Sequence, residues 1–91
     1  MTIILDLLNV TSKKELFELI NQTFKFENQC TNLDALYDEL TSMTSEYKII
    51  IKNIDKAKES INDYINIFVH VLNDCEYECN NIHILYDEVG K

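Results

Sequence analysis

Asn32-Leu33-Asp34-Ala35-Leu36-Tyr37-Asp38-Glu39-Leu40-Thr41 decides how the rest of the chain is read. Helical periodicity puts Leu33, Leu36, Leu40 and Met43 on one flank, where they can face a core. Asp34 and Asp38, at i and i+4, stack on the opposite flank together with Ser42, and Tyr37 sits at the boundary beside them. Like charges at that spacing repel and cost an isolated helix roughly 0.2–0.5 kcal/mol. One reading is a solvated acidic face. The other is a rigid acidic finger with an aromatic beside it, aimed at a basic cleft.

Working outward, Phe26 to Thr31 lacks periodicity and reads as a loop, after which Thr31 or Asn32 caps the helix. Asp34 falls in the first turn, where the helix dipole favours an anion, and the helix is expected to end near Met43. Before the loop, Ser12-Lys13-Lys14-Glu15 is a capping box. Leu16, Leu19, Ile20, Thr23 and Phe24 then form one stripe, predicting a helix from Lys13 to Lys25. Ile3-Ile4-Leu5-Asp6-Leu7-Leu8 is nearly continuous and apolar, as expected of a strand covered on part of both faces. Tyr47-Lys48-Ile49-Ile50-Ile51-Lys52 is β-branched and makes a second strand.

Downstream, Asp55 is expected to cap the last long helix, whose stripe runs through Ala57, Ile61, Tyr64, Ile65, Phe68 and Leu72. Asn62-Asp63 is a possible break into two helices, and Asn73 to Asn81 reads as helix terminus and loop. Ile82-His83-Ile84-Leu85-Tyr86 alternates as a third strand, with Ile82, Ile84 and Tyr86 on one face, and Asp87 to Lys91 is a polar tail. Helical crossovers favour parallel pairing, and right-handed connections put the helices on one face. The expected fold is a two-layer α/β domain over residues 1–91, a three-stranded parallel sheet with three to four helices on one face.

Composition narrows the function. The 91 residues carry a net charge of −8, with 46% hydrophobic and 26% charged content, which suits an ordered single domain. Every cation is a lysine. The balance opposes nucleic-acid binding and favours a basic protein partner. No apolar run approaches the roughly 20 residues of a membrane span. The N-terminal stretch lacks a basic n-region and meets Asp6 early, so it does not read as a signal peptide and the expected location is cytoplasmic.

Cys30, Cys75 and Cys79 are an odd number, which argues against a closed disulfide framework. Cys75-x3-Cys79 with His70 and His83 nearby lacks the tighter spacing of zinc sites, so reduced, mostly buried thiols are expected, with no metal or other cofactor. The sole glycine is Gly90, which leaves no phosphate loop, and no Gly-x-Ser-x-Gly surrounds any serine. Nothing local supports activating Cys30 with His70 or His83. A catalytic Asp34/Asp38 pair needs one member desolvated, whereas an exposed flank solvates both. The chain does not read as an enzyme.

The ten residues from Asn32 to Thr41 resemble the N-L-D-A-L-[WY]-D-x-L-T segment of the barstar family of bacterial ribonuclease inhibitors. The order of elements agrees along essentially the whole chain. The resemblance implies a stoichiometric inhibitor that forms a 1:1 complex with a secreted basic ribonuclease and plugs its active site, protecting the producing cell. Asp38 would be the chief phosphate mimic, Asp34 a second contact, and Tyr37 would pack at the rim in place of the family's usual tryptophan. Asn32, Thr41 and Ser42 on the motif helix, with Gln29 and Thr31 in the loop before it, complete the expected contact face. His70 falls near a glutamate of the family's type member, a departure at that contact.

Two further departures concern the partner. Asn28-Gln29-Cys30-Thr31 stands where the family usually has aromatics and a glycine, and the tryptophan expected after the motif helix is replaced near Met43. An immunity protein against another toxin nuclease fits as well. The alternative is a non-catalytic interaction or regulatory module with the same fold and a non-nuclease partner. In either case the free chain is expected to be a monomer.

Overall fold

The computed structural model describes residues 1–26 and 28–87. The element order is β1 (Thr2–Asp6), α1 (Lys13–Phe24), α2 (Leu33–Thr41), β2 (Tyr47–Lys52), α3 (Ile54–Glu78) and β3 (Ile82–Asp87). The strands lie in the order β1-β2-β3, and both pairings are parallel. The fold class expected from the sequence is therefore the one observed. The expected polar tail, Asp87 to Lys91, lies outside the described residues apart from Asp87, which ends β3.

Register sorts the sheet into two faces. Leu5, Ile49, Ile51, Ile82 and Ile84 point inward and are buried against the helices. On the other face, Ile4 pairs with Ile50 and Ile50 with Leu85, and Ile4 and Leu85 are 52% and 47% exposed. The expectation that β1 is covered on part of both faces is thus corrected: its apolar run conceals one open face.

The helices fill the covered layer. Ser12 accepts from the Glu15 backbone N–H, while the Glu15 carboxylate reaches back to the Thr11 N–H at 2.8 Å, so the predicted capping box closes one residue earlier. Lys25 ends α1 in the left-handed region at φ 54°. Leu16, Phe17 and Ile20 of α1, Leu36 and Leu40 of α2, and Ile65, Phe68 and Leu72 of α3 join the sheet's inner face in one core.

α3 departs most from expectation. Its N-cap is Asn53, left-handed at φ 60°, and Asp55 lies inside the first turn instead of capping it. The Asn53 amide donates to Asp6 Oδ1 at 2.7 Å, tying the end of β1 to the start of α3. Asparagine tolerates that backbone region better than most residues. The expected break occurs at Ile61 (φ −135°, ψ 51°), as a kink in one helix. The helix also continues to Glu78, five residues beyond the expected terminus at Asn73. Buried Leu72 and Cys75 and half-buried Cys79 carry the stripe onward, whereas Asn73, Asp74 and Glu78 face solvent and mimic a loop in composition.

Candidate partner-binding face

α2 is fixed at both ends. The Asn32 side chain accepts from the Ala35 N–H at 2.8 Å, which confirms Asn32 as its cap. At the other end Thr41 donates to the Tyr37 carbonyl at 2.8 Å and Ser42 to the Asp38 carbonyl at 2.7 Å. These hydroxyls add side-chain bonds to the carbonyls of the last turn, the Asp38 carbonyl also accepting from the Ser42 N–H at 3.2 Å. Leu33, Leu36 and Leu40 bury the inner flank and set the rotation of the helix about its axis.

That rotation leaves Asp34 and Asp38 exposed and Tyr37 half-buried. Tyr37 leans toward the end of α3: partial burial, then the nearby Glu78 and Asp74 carboxylates, raise its phenol above the ordinary tyrosine value. Asp74 and Glu78 are one helical turn apart, the same i, i+4 spacing as Asp34 and Asp38. Asp74 and Glu78 are exposed and lie near Tyr37, which shares α2 with the exposed Asp34 and Asp38. Among the described residues the one lysine ion pair is Lys56–Glu59, so none of the four is neutralised by a lysine.

His70 is 81% exposed on α3, with Nε2 4.0 Å from Asp74 Oδ2, so it reaches the acidic face through Asp74. Asp74 and Glu78 were not legible as site residues because Asn73 to Asn81 reads as loop in the sequence. The continued stripe Phe68, Leu72, Cys75, Cys79 was the signal that could have found them.

The loop before α2 leads directly into its cap, Asn32, and packs on α1. Gln29 and Thr31 are exposed on either side of Cys30, whose side chain is 1% exposed. Both line a cleft of about 330 Å³ shared with Lys13, Lys14 and Phe17 of α1. Asn21 of α1 holds the loop: its amide donates to the Cys30 carbonyl at 2.9 Å and accepts from the Cys30 N–H at 2.8 Å. Nothing in the sequence spacing marks that pairing.

All three cysteines are free thiols, and among the described residues no three His, Cys, Asp or Glu side chains gather around a possible metal position. Cys75 is buried, and desolvation, with Cys79 and Asp74 nearby, pushes its thiol up to about 12. His83 lies on the open sheet face beside Glu46, 3.4 Å away, remote in orientation from the buried Cys30. No helix among the described residues is long and apolar enough to cross a membrane.

No curated protein matches the sequence. The family model described as Barstar (barnase inhibitor) matches residues 1–87 of the 91, through every strand and helix above, and the chain belongs to that family.

Proposed function

We propose that this protein is a stoichiometric inhibitor of a basic ribonuclease or a related toxin nuclease, acting as an antitoxin in the cytoplasm of the cell that makes the enzyme. The observation that supports the reading is the exposed acidic surface of two packed helices, Asp34 and Asp38 on the helix of Tyr37 and Asp74 and Glu78 near its ring, none paired with a lysine among the described residues, on a chain of net charge −8. A nuclease active site gathers cationic groups that hold substrate phosphates. Carboxylates fixed on two packed helices can occupy those phosphate positions without being cleaved. Asp38 is the chief phosphate mimic and Asp34 the second, with Tyr37 covering the rim. Asn32, Thr41 and Ser42, the loop residues Gln29 and Thr31, and His70 beside Asp74 complete the face. The surplus negative charge also speeds encounter with a basic partner.

The complex is 1:1, and the free protein is a monomer without metal or cofactor. The test is a pull-down from native extract and medium with wild-type and Asp34→Ala/Asp38→Ala baits. A small basic protein retained by wild type alone, with nuclease activity released when the complex is dissociated, is the expected result. Identical partners on both baits, or none on either, would overturn the inhibitor reading. A non-nuclease protein held only by wild type would favour a regulatory module on the same fold.

A further inference from the structure

We infer that Asn21, a residue of α1 with no place in the acidic face, is the positioning residue for partner binding. It holds the loop before α2 in a preformed shape through a two-bond clamp on the Cys30 backbone. The inference rests on the inhibitor reading above.

Between the left-handed end of α1 and the cap of α2, the described residues Phe26 and 28–31 form no helix or strand. Cys30 is the point at which it enters the core, and a backbone group desolvated there needs a partner. Asn21 supplies both, at 2.9 and 2.8 Å, using its amide as an adjacent strand would use a peptide group. Cys30 therefore cannot turn about the chain axis, and its neighbours Gln29 and Thr31 are both held outward. Two residues after Cys30, Asn32 caps α2, and Asp34 follows two residues later. The clamp thus sits at the root of the segment that carries Gln29, Thr31, Asn32 and Asp34.

Chain composition makes the device necessary. Gly90 is the sole glycine, so this loop cannot take its shape from a residue without a Cβ. A buried thiol and a side-chain amide do the work instead. A preformed loop spares the complex the ordering cost that a mobile one incurs, and such gains show mainly in the dissociation rate.

The test compares Asn21→Ala, which removes both bonds, with Asn21→Asp, which keeps the acceptor for the Cys30 N–H and loses the donor to its carbonyl. Alanine is the better helix former, so α1 itself is not weakened by that change. Hydrogen exchange on the free protein should show the Cys30 amide exchanging about tenfold faster or more in Asn21→Ala, with β2 amides unchanged. Binding to the nuclease recovered in the pull-down should show about tenfold faster dissociation and an association rate within about twofold of wild type, with Asn21→Asp intermediate. A merely structural staple would change exchange and leave dissociation alone, and that result would overturn the positioning role. Unchanged exchange at Cys30 would overturn the clamp itself. Should wild type bind no nuclease, the inhibitor reading and this inference fall together, and the exchange result still reports separately on the clamp.

Discussion

Replacing Asp38 with lysine should stabilise the free protein while abolishing capture of its partner. Asp38 is exposed in the last turn of α2, one turn from Asp34, and that turn contains no basic residue. Removing the like-charge pair relieves about 0.2–0.5 kcal/mol, and an acid-then-lysine pair at i, i+4 adds about 0.3–0.5 kcal/mol. A cation at the carboxyl end of a helix adds about 0.3–1 kcal/mol through the macrodipole. Because these terms overlap and the site is solvated, the net gain is about 1 kcal/mol. For a domain of this size that corresponds to a rise in Tm of about 4–8 °C. The Ser42 hydroxyl and backbone N–H both donate to the Asp38 backbone carbonyl and not to its side chain, so both bonds survive. Thermal unfolding followed by circular dichroism at low salt reads the gain, and at about 1 M salt, where screening extends only about 3 Å, most of it should vanish. A lower or unchanged Tm at low salt would refute the claim that this face is held against its own repulsion. Binding retained by the stabilised variant would refute the role given to Asp38.

Three other outcomes follow from the same structure. Asn32→Ala should cost about 1 kcal/mol in urea unfolding, with Asn32→Ser close to wild type, since the Ala35 N–H loses its acceptor only in the first. Phe68→Ala, at a fully buried position where α3 meets the core, should cost about 3–5 kcal/mol, measured as a fall in the urea midpoint. Stability should also fall in alkali. Burial raises the Cys75 thiol to about 12, whereas the unfolded chain ionises it near about 8.5, so stability is full below that pH and is lost as pH rises toward 12. Urea midpoints flat from about pH 8 to pH 11 would contradict the burial of that thiol.

The parts of the fold that local chemistry dictates were legible. The Ser12 and Asn32 caps, the stripes of α1 and α2 and the run Tyr47 to Lys52 each need only neighbours within a turn or a strand. Misreadings arose where a distant partner decides. β1 reads as doubly covered because Ile4 is apolar, yet coverage depends on where the helices land, and they land on the Leu5 side. Asn53 replaces Asp55 as the start of α3 because its amide is engaged by Asp6, 47 positions away in sequence. The acidic pair of α2 was visible as an i, i+4 pattern. Its continuation through Asp74 and Glu78 was concealed by polar residues on the solvent side of a helix that does not end where its composition changes. The Asn21 clamp had no local signature at all.

α2 obeys each rule of a stable helix except on the face that matters here. It has a good cap, an acid in the first turn, three buried leucines and a closed last turn, but its exposed Asp34 and Asp38, and Asp74 and Glu78 near Tyr37, have no lysine partner among the described residues. A helix selected for stability alone would place cations there. The repulsion is held in the free protein by packing that the carboxylates do not share: Leu36 and Leu40 on one helix, Leu72 and Cys75 on the other. On the proposed inhibitor reading, a cationic partner would relieve that repulsion as it binds. On that reading the same arrangement would disfavour other partners, because only a cleft with several fixed cations repays the desolvation of several carboxylates at once.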